Sequence, residues 1–332
     1  MTSRILGALG AVMAVAALSP VPLGGQTASK RSEAAKAVPR TPDGRPDFQG
    51  YWTNATFIPL ERPAEFAGKA EMTEAEAIAY QKKRELQENS QSKEDIHYDN
   101  VLWQTESYSK GMLDRRTSLI FDPADGKIPP LTPAAQARAA ARAAAASRRG
   151  PADAAEYRSL GERCISWGNE GPPMLGATYG NNIHILQSGT DVVIRHELMR
   201  PIRVIPMDGR PHVGPNLRML NGDPRGHWEG DTLVVDTTNF TDRTPFRGPP
   251  ATTRGDIFSG QQMHVVERFT CVDADTIRYR FTVEDPGTWV RPWSAELIMR
   301  RWEGPIYEYA CSEGNYGLTF ILTAARAMER GQ

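Results

Sequence analysis

The sequence lacks an excess of charge of either sign. Its 332 residues include 39 lysines and arginines and 40 aspartates and glutamates, so the formal net charge is −1. A nucleic-acid-binding protein normally carries a surplus of positive charge, and the chain as a whole has none. The composition therefore predicts no nucleic-acid partner and is typical of an ordinary globular protein.

Long apolar runs are also missing, apart from one at the N-terminus. That run extends from Ile5 to Leu18, follows Arg4, and is succeeded by prolines and small residues. It is short for a membrane-spanning helix but typical of a secretory signal peptide, which we predict over residues 1–28. We therefore expect a periplasmic or secreted protein with no membrane span, in which the polar residues 29–45 form a disordered linker.

Cysteine is scarce, with three residues in the chain. In an oxidising compartment three cysteines allow one disulfide and one free thiol. Cys164 and Cys311 both border predicted loops, so we expect the disulfide to join them. Cys271 lies on a predicted strand, where we expect it to be buried and unreactive.

Several motifs of cofactor-dependent enzymes do not occur in the sequence. No glycine-rich phosphate loop follows a predicted strand, no pair of metal-ligand residues has a recognisable spacing, and there is no GxSxG nucleophile elbow. The sequence therefore indicates no metal site and identifies no cofactor.

The sequence does contain a series of strand patterns separated by short turns, from residue 183 to a last expected strand at 306–310. Such a series is typical of an antiparallel β-barrel of the lipocalin type or of a β-sandwich. We predict a mainly β protein with an antiparallel β domain over residues 161–328. Residues 46–160 are expected to form a helical and irregular arm packed on that domain, with helices beginning at Thr73 and Thr132.

The stretch NGDPRGHWEGDTLVVDTTNF, from Asn221 to Phe240, predicts a β-hairpin with its turn at residues 229–231. His227 lies just before the turn. It is a candidate catalytic residue because an imidazole can transfer protons near neutral pH. The alternative is that His227 faces water and has no chemical role.

Charged residues on the apolar faces of the later strands form the main candidate site. Alternation places Glu267 on an inward face, and it places Asp285 and Arg291 on the inward faces of the next two strands. A barrel interior with these charges suits a small, partly apolar ligand. The alternative is a buried ion pair between Glu267 and Arg291 with a structural role. The predicted pocket walls are Tyr279, Trp289 and Trp293.

His184 and His196 are further candidates for inward-facing ligand-binding residues. Each alternates with apolar residues on its predicted strand, and Arg203 follows a few residues later. A single inward histidine is usually a core residue with its hydrogen bonds satisfied. Two of them near an arginine favour a polar centre that could bind a ligand.

Seven longer segments carry a recognisable pattern. Among them are RTSLIFDPADGKIPPLTP from Arg116, ERCISWGNEGPPML from Glu162, VVERFTCVDADTIRYRFTVEDP from Val265 and EYACSEGNYG from Glu308. With the hairpin sequence, they resemble a family of uncharacterised secreted bacterial proteins over most of the chain after the signal peptide. The resemblance implies no particular activity. Ser312 stands where the family usually has histidine, which weakens a metal or catalytic role there. The layout of strands and turns is similar to lipocalin barrels in architecture alone.

Three functions fit these features. The first is an exported lyase, isomerase or hydrolase that performs acid–base chemistry without an organic cofactor. In it Glu267 or His227 moves a proton, and Arg291 or Arg203 holds a substrate oxygen. The second is a non-catalytic periplasmic protein that binds an apolar small ligand in the same barrel. The third is a structural envelope protein. The oligomeric state is left open by the sequence.

Overall fold

The computed structural model describes residues 37–89, 114–150, 152–176, 180–199, 201–243 and 260–331. The predicted signal peptide and the first part of the predicted linker lie outside these residues. The described chain is mainly β, because ten strands form one antiparallel sheet.

The strands are numbered in chain order. Along the sheet their order is β5-β4-β3-β1-β10-β9-β8-β7-β6, and β2 pairs with β10 on the same side as β1. Their bounds are β1 Gly50–Thr53, β2 Ile120–Asp122, β3 Asn182–Gln187, β4 Asp191–His196, β5 Ile202–Pro206, β6 Asp223–Glu229, β7 Thr232–Thr238, β8 His264–Asp273, β9 Thr276–Glu284 and β10 Trp293–Arg301.

The sheet curls into a nearly closed barrel, because β5 and β6, the two ends of the strand order, contact each other. We call this contact the seam. Gly226 of β6 allows the close approach: a Cβ atom at this position would lie 2.9 Å from Cγ2 of Ile205 and closer still to Sδ of Met207. The predicted barrel is confirmed. The alternative, a β-sandwich, would need two packed sheets, but the strands belong to a single sheet.

The predicted hairpin at Asn221 to Phe240 is also confirmed. Strands β6 and β7 pair as far as Glu229 and Thr232, so the turn contains only two residues between them. Gly230 occupies the turn with a φ of 57°, a conformation that glycine adopts at little cost.

Both predicted helices are present and begin as expected. Helix α1 (Glu74–Asn89) has a capping box, in which the Thr73 N–H donates to Oε2 of Glu76 at 2.7 Å and the Glu76 N–H donates to Oγ1 of Thr73 at 3.3 Å. Helix α2 (Pro133–Ser147) starts with proline, and the hydroxyl of Thr132 caps its first turn.

A third helix, α3 (Tyr316–Glu329), was not predicted. The prediction of a strand at residues 306–310 was wrong, because these residues form no strand. The side of β10 that does not pair with β9 already pairs with β1 and β2, so it offers no place for a further strand. Within the described ranges, no helix is long and apolar enough to cross a membrane.

Large apolar side chains line the inner face of the barrel. The rings of Phe269 and Tyr279 lie 4.9 Å apart between centroids, and those of Phe281 and Trp293 lie 5.7 Å apart at a steep angle. Each fully buried side chain of this kind contributes roughly 1.5–3 kcal/mol through the hydrophobic effect. The largest fully buried members of this core are Phe48, Trp52, Phe240, Phe269, Tyr279, Phe281, Trp289 and Trp293.

A disulfide joins Cys164 to Cys311, the pair expected from the sequence. It connects positions 147 residues apart, and it lies just before α3. The amide of Asn315 also donates to the carbonyl oxygen of Glu162 at 3.2 Å, so the start of α3 is fixed to the segment around Cys164 by a covalent bond and a hydrogen bond. Cys271 is the free cysteine, and burial raises the pKa of its thiol to about 12.

We predict that thiol titration will find one reactive thiol in the unfolded, non-reduced protein and three after reduction, because Cys164 and Cys311 are paired. The native protein should react slowly, since the high pKa of Cys271 suppresses its thiolate. Cys271→Ser is the matched control and should leave no reactive thiol before reduction. Three thiols in the non-reduced unfolded chain would contradict the disulfide.

Candidate functional site

A cluster of polar side chains lies inside the barrel, at the centre of the predicted site. Arg203 of β5 donates from Nη1 to Oε1 of Glu267 at 3.0 Å and from Nη2 to Oε2 of the same carboxylate. The Tyr279 hydroxyl donates to Oε1 of Glu267 at 2.7 Å. This hydroxyl in turn accepts a hydrogen bond of 2.9 Å from the Met174 N–H. We call Arg203, Glu267 and Tyr279 the buried network.

Strand alternation brings these three residues together. On β8, Glu267 lies between the inward residues Val265 and Phe269, and on β9 Tyr279 follows the same pattern between apolar neighbours. Arg203 faces inward from β5 together with Ile205. The Glu267 carboxylate, the Arg203 guanidinium and the Tyr279 ring are all buried. An unpaired charge in such surroundings would be costly, which explains why the contacts of the carboxylate are saturated.

The electrostatics of the buried network keep Arg203 charged and Tyr279 neutral. Burial alone would lower the pKa of Arg203, but the charge and hydrogen bonds of Glu267 outweigh it and raise that pKa. Burial, with the adjacent Glu267 carboxylate, raises the pKa of Tyr279 well above 10. Tyr279 therefore remains a hydrogen-bond donor to Glu267 at physiological pH.

His196, at the end of β4, lies in the barrel interior next to the buried network. It is 1% exposed, and neither ring nitrogen has a hydrogen-bond partner among the described residues. Burial, with a further contribution from the positive charge of Arg203, lowers the pKa of His196 to about 3. Its imidazole is therefore neutral, with one donor and one acceptor nitrogen that both lack a partner. The inward position expected for His196 is confirmed.

Arg291 does not lie in the interior, and the predicted pairing with Glu267 was wrong. Its side chain is 51% exposed and donates from Nη2 to Oδ1 of Asp122 at 2.6 Å. The expectation relied on a strand beginning at Trp289, but β10 begins only at Trp293. The preceding residues form a turn, where two-residue alternation does not apply. Arg203 occupies the position next to Glu267 that was assigned to Arg291.

His227 and His184 also lie outside the barrel. His227 is 56% exposed and its Nε2 is 3.3 Å from Oε1 of Glu229, beside the hairpin turn. His184 was expected to face inward, but Ile183 and Ile185 take that face of β3. The centroid of the His184 ring instead lies 4.4 Å from that of Tyr51, with the two rings tilted by 31°. The apolar pattern of β3 is ambiguous, because both of its faces carry large aliphatic side chains.

Trp289, Trp293 and Asp285 are buried, as expected, but their roles differ. The ring centroids of Trp289 and Trp293 lie 5.8 Å apart, and Trp293 packs inside the barrel. Asp285 organises the turn before β10: its backbone oxygen accepts from the N–H groups of Thr288 and Trp289, and its Oδ2 accepts from the Gly260 N–H at 2.6 Å. Asp285 is thus a turn residue rather than a neighbour of Glu267 in the buried network.

A second polar cluster, which was not predicted, lies on the outside of β6, β7 and β8. Asp236 accepts from two imidazoles, with Oδ1 2.9 Å from Nε2 of His212 and Oδ2 2.7 Å from Nε2 of His264. The other ring nitrogen of His212 lies 3.2 Å from Oδ2 of Asp223. The hydrogen bond to Asp236 raises the pKa of His264, and the hydrogen bond from His264 lowers the pKa of Asp236. No group of residues in the described structure could hold a metal ion.

An open cleft of about 360 Å³ lies outside the barrel and was not predicted. It is lined by residues of α1, by the outward side chains of β10 and by the segment 114–116. We call it the α1–β10 cleft. Its walls combine apolar residues, such as Ile58 and Tyr80, with charged residues of both signs.

Comparison of the sequence with protein-family models and with curated proteins gave no match. The resemblance to a family of secreted bacterial proteins therefore stays a prediction, and the site rests on geometry alone.

We predict that Glu267→Gln lowers the free energy of unfolding by about 3 kcal/mol, because it leaves the buried Arg203 guanidinium without its counter-charge. Chemical denaturation of the disulfide-bonded protein measures this. The matched control is Glu229→Gln, which removes an ion pair with Arg268 on the protein surface and should change stability little. Equal effects of the two substitutions would mean that the buried network does not stabilise the barrel.

His196 should make the protein less stable in acid. Since its folded-state pKa of about 3 is below the value near 6.5 in the unfolded chain, the unfolded state binds a proton first as the pH falls. This contribution to stability is complete above pH ~6.5 and is lost progressively toward pH ~3. Between pH 7 and pH 5 it amounts to about 2 kcal/mol.

The measurement is urea denaturation at both pH values for the wild type and His196→Leu. The stability difference between the two pH values should shrink by about 2 kcal/mol in His196→Leu. Ile194→Val, on the same inward face of β4, controls for lost packing and should keep the full pH dependence. An unchanged pH dependence in His196→Leu would show that this imidazole is not held neutral.

Proposed function

We propose that the protein is an exported, non-catalytic binding protein whose barrel interior holds the polar group of a small, partly apolar molecule. The observation that carries the proposal is the state of His196, which is buried while both of its ring nitrogens lack a hydrogen-bond partner in the described structure. Leaving a buried polar group unpaired costs about 1–3 kcal/mol. A ligand that supplies the missing hydrogen bonds would recover that free energy.

The neighbourhood of His196 indicates the kind of ligand. Nε of Arg203, whose charge acts on His196, is likewise buried and without a partner in the part of the chain that the structure describes. Because the Arg203 charge is already neutralised by Glu267, an additional ionic group is not required. A neutral hydroxyl, carbonyl or amide group would match these donors and acceptors, and the aromatic side chains of the interior would contact an apolar body.

The alternative of an acid–base enzyme has less support. A proton transfer by Glu267 would require its carboxylate to leave two hydrogen bonds from Arg203 and one from Tyr279. The other predicted catalytic residues, His227 and Arg291, are exposed on the outside of the barrel. His196 is a weak base, because a pKa of about 3 leaves it little affinity for a proton at neutral pH.

Export is proposed together with binding. It is supported by the signal-peptide pattern of residues 1–28 and by the disulfide between Cys164 and Cys311, which is favoured in an oxidising compartment.

The test compares the native and denatured masses of the protein after secretion by a bacterial host. The native mass should exceed the denatured mass by that of one small organic molecule, and this excess should be lost in His196→Leu. Replacing His196 with leucine removes both unpaired nitrogens without creating a new buried polar group, so the variant should remain folded. Ile194→Val is the matched control and should keep the ligand.

Two results would contradict the proposal. One is a wild-type protein that carries no molecule and shows no thermal stabilisation by any neutral compound in a metabolite library. The other is a ligand that His196→Leu retains at wild-type occupancy. Conversion of a compound by the wild type, abolished in Glu267→Gln under conditions where that variant is folded, would favour the enzyme alternative.

A further inference from the structure

The α1–β10 cleft has the composition of a second binding site, separate from the barrel interior. Its apolar walls include Ile58 and Tyr80, which are largely buried, and the outward side chain of Ile298 on β10. At about 360 Å³ its volume is within the range of small-molecule sites. A ligand with an apolar body would be accommodated between these walls.

Each arginine that lines the cleft forms an ion pair with a carboxylate of the lining, with one exception. Arg116 pairs with Asp114 at 2.5 Å and with Glu296 at 3.4 Å, and Arg115 lies 3.8 Å from Glu71. These two arginines are therefore neutralised by carboxylates within the cleft.

Arg300 is the exception. Its Nη1 donates to the hydroxyl of Thr276, which carries no charge, and no carboxylate of the described ranges lies within ion-pair distance of it. Burial lowers the pKa of Arg300, and the more distant charges of Asp273 and Asp114 offset that effect only in part. Its Nε and Nη2 are shielded from solvent and have no hydrogen-bond partner there. A guanidinium group is always charged in proteins, so half-burying one with no carboxylate in direct contact is unfavourable, and an anion that contacts it would reduce that cost.

The two unpaired donors define the shape of that anion. Nε–H and one N–H of Nη2 lie side by side on one edge of the guanidinium plane and point in parallel, as the two oxygens of a carboxylate require. The three carboxylates of the cleft lining disfavour a group with two negative charges, such as a phosphate monoester. A carboxylate with a single charge therefore fits best.

We propose that the α1–β10 cleft binds a small organic acid, with its carboxylate on the Nε and Nη2 edge of Arg300 and its apolar body between Tyr80 and Ile298. Binding includes a rotation of the Arg300 side chain that turns this edge from its shielded position toward the cleft. The site does not depend on the ligand proposed for the barrel interior.

The test uses 3-phenylpropionate as the probe and isothermal titration calorimetry on the disulfide-bonded protein. The expected Kd is about 1 mM or lower. The neutral analogue 3-phenylpropan-1-ol, which keeps the apolar body, and acetate, which keeps only the carboxylate, should each bind at least about tenfold more weakly. Phenyl phosphate should also bind more weakly than the carboxylate.

The variant that tests the contact is Arg300→Gln, which should weaken binding of 3-phenylpropionate at least about tenfold. Its matched control is Arg268→Gln on the outer side of β8, which pairs with Glu229 away from the cleft and should leave the affinity unchanged. His196→Leu should also leave it unchanged, because that residue lies inside the barrel. If Arg300→Gln fails to fold, Ile298→Trp fills the cleft with Arg300 intact and should abolish binding.

Several outcomes would overturn the proposal. They are no binding of 3-phenylpropionate to the wild type, equal binding of the alcohol and the acid, unchanged affinity in Arg300→Gln, and retained binding in Ile298→Trp. Loss of binding in His196→Leu would place the acid in the barrel interior and would equally overturn the assignment to the cleft.

Discussion

The barrel depends on a charge pair that crosses its interior. Arg203 belongs to β5, the first strand in the sheet order, and Glu267 belongs to β8, the third strand from the other end. At the seam itself, β5 and β6 contact each other, but no ladder of backbone hydrogen bonds joins these two strands. The bidentate ion pair thus ties the two halves of the sheet together at the place where backbone hydrogen bonding stops. The missing side chain at Gly226 lets the seam pack closely, and the Tyr279 hydroxyl completes the hydrogen bonds of the carboxylate.

This structural role narrows what the buried charges can do chemically. A carboxylate that accepts two charge-assisted hydrogen bonds and one from a phenol is stabilised as an anion and is poorly placed to exchange protons. The unpaired groups lie beside it, at His196 and at Nε of Arg203. The two proposed sites consequently differ in chemistry: the barrel interior suits a neutral polar group, whereas the α1–β10 cleft has one guanidinium that no carboxylate of the described residues contacts directly.

Much of the fold followed from local sequence patterns. Alternation identified most of the strands and placed Glu267, Tyr279, His196 and Trp293 inside, because a strand with one strongly apolar face has one favourable orientation. Alternation gave the wrong orientation where a residue is not in a strand or where both faces of a strand carry apolar side chains. The turn before β10 breaks the alternation at Arg291, and the two apolar faces of β3 made the orientation of His184 ambiguous.

Other features depend on contacts between distant segments, which single-strand patterns do not contain. The pairing of Arg203 with Glu267 joins residues 64 positions apart through the curvature of the sheet. The α1–β10 cleft exists because α1 and residues 114–116 lie over the outer face of β10. The C-terminal helix α3 was not predicted, because it lies almost entirely within residues 161–328, where only a β domain was expected.

The seam has a mechanical consequence for the barrel. Elsewhere along the strand order, neighbouring strands are joined by ladders of backbone hydrogen bonds, so widening the barrel there would break several of them at once. Between β5 and β6 a small change in radius would break no backbone ladder, but it would strain the ion pair of Arg203, which sits on the strand that would move. A molecule entering the interior near His196 could therefore be accommodated by expansion at this one line, with the rest of the sheet keeping its register.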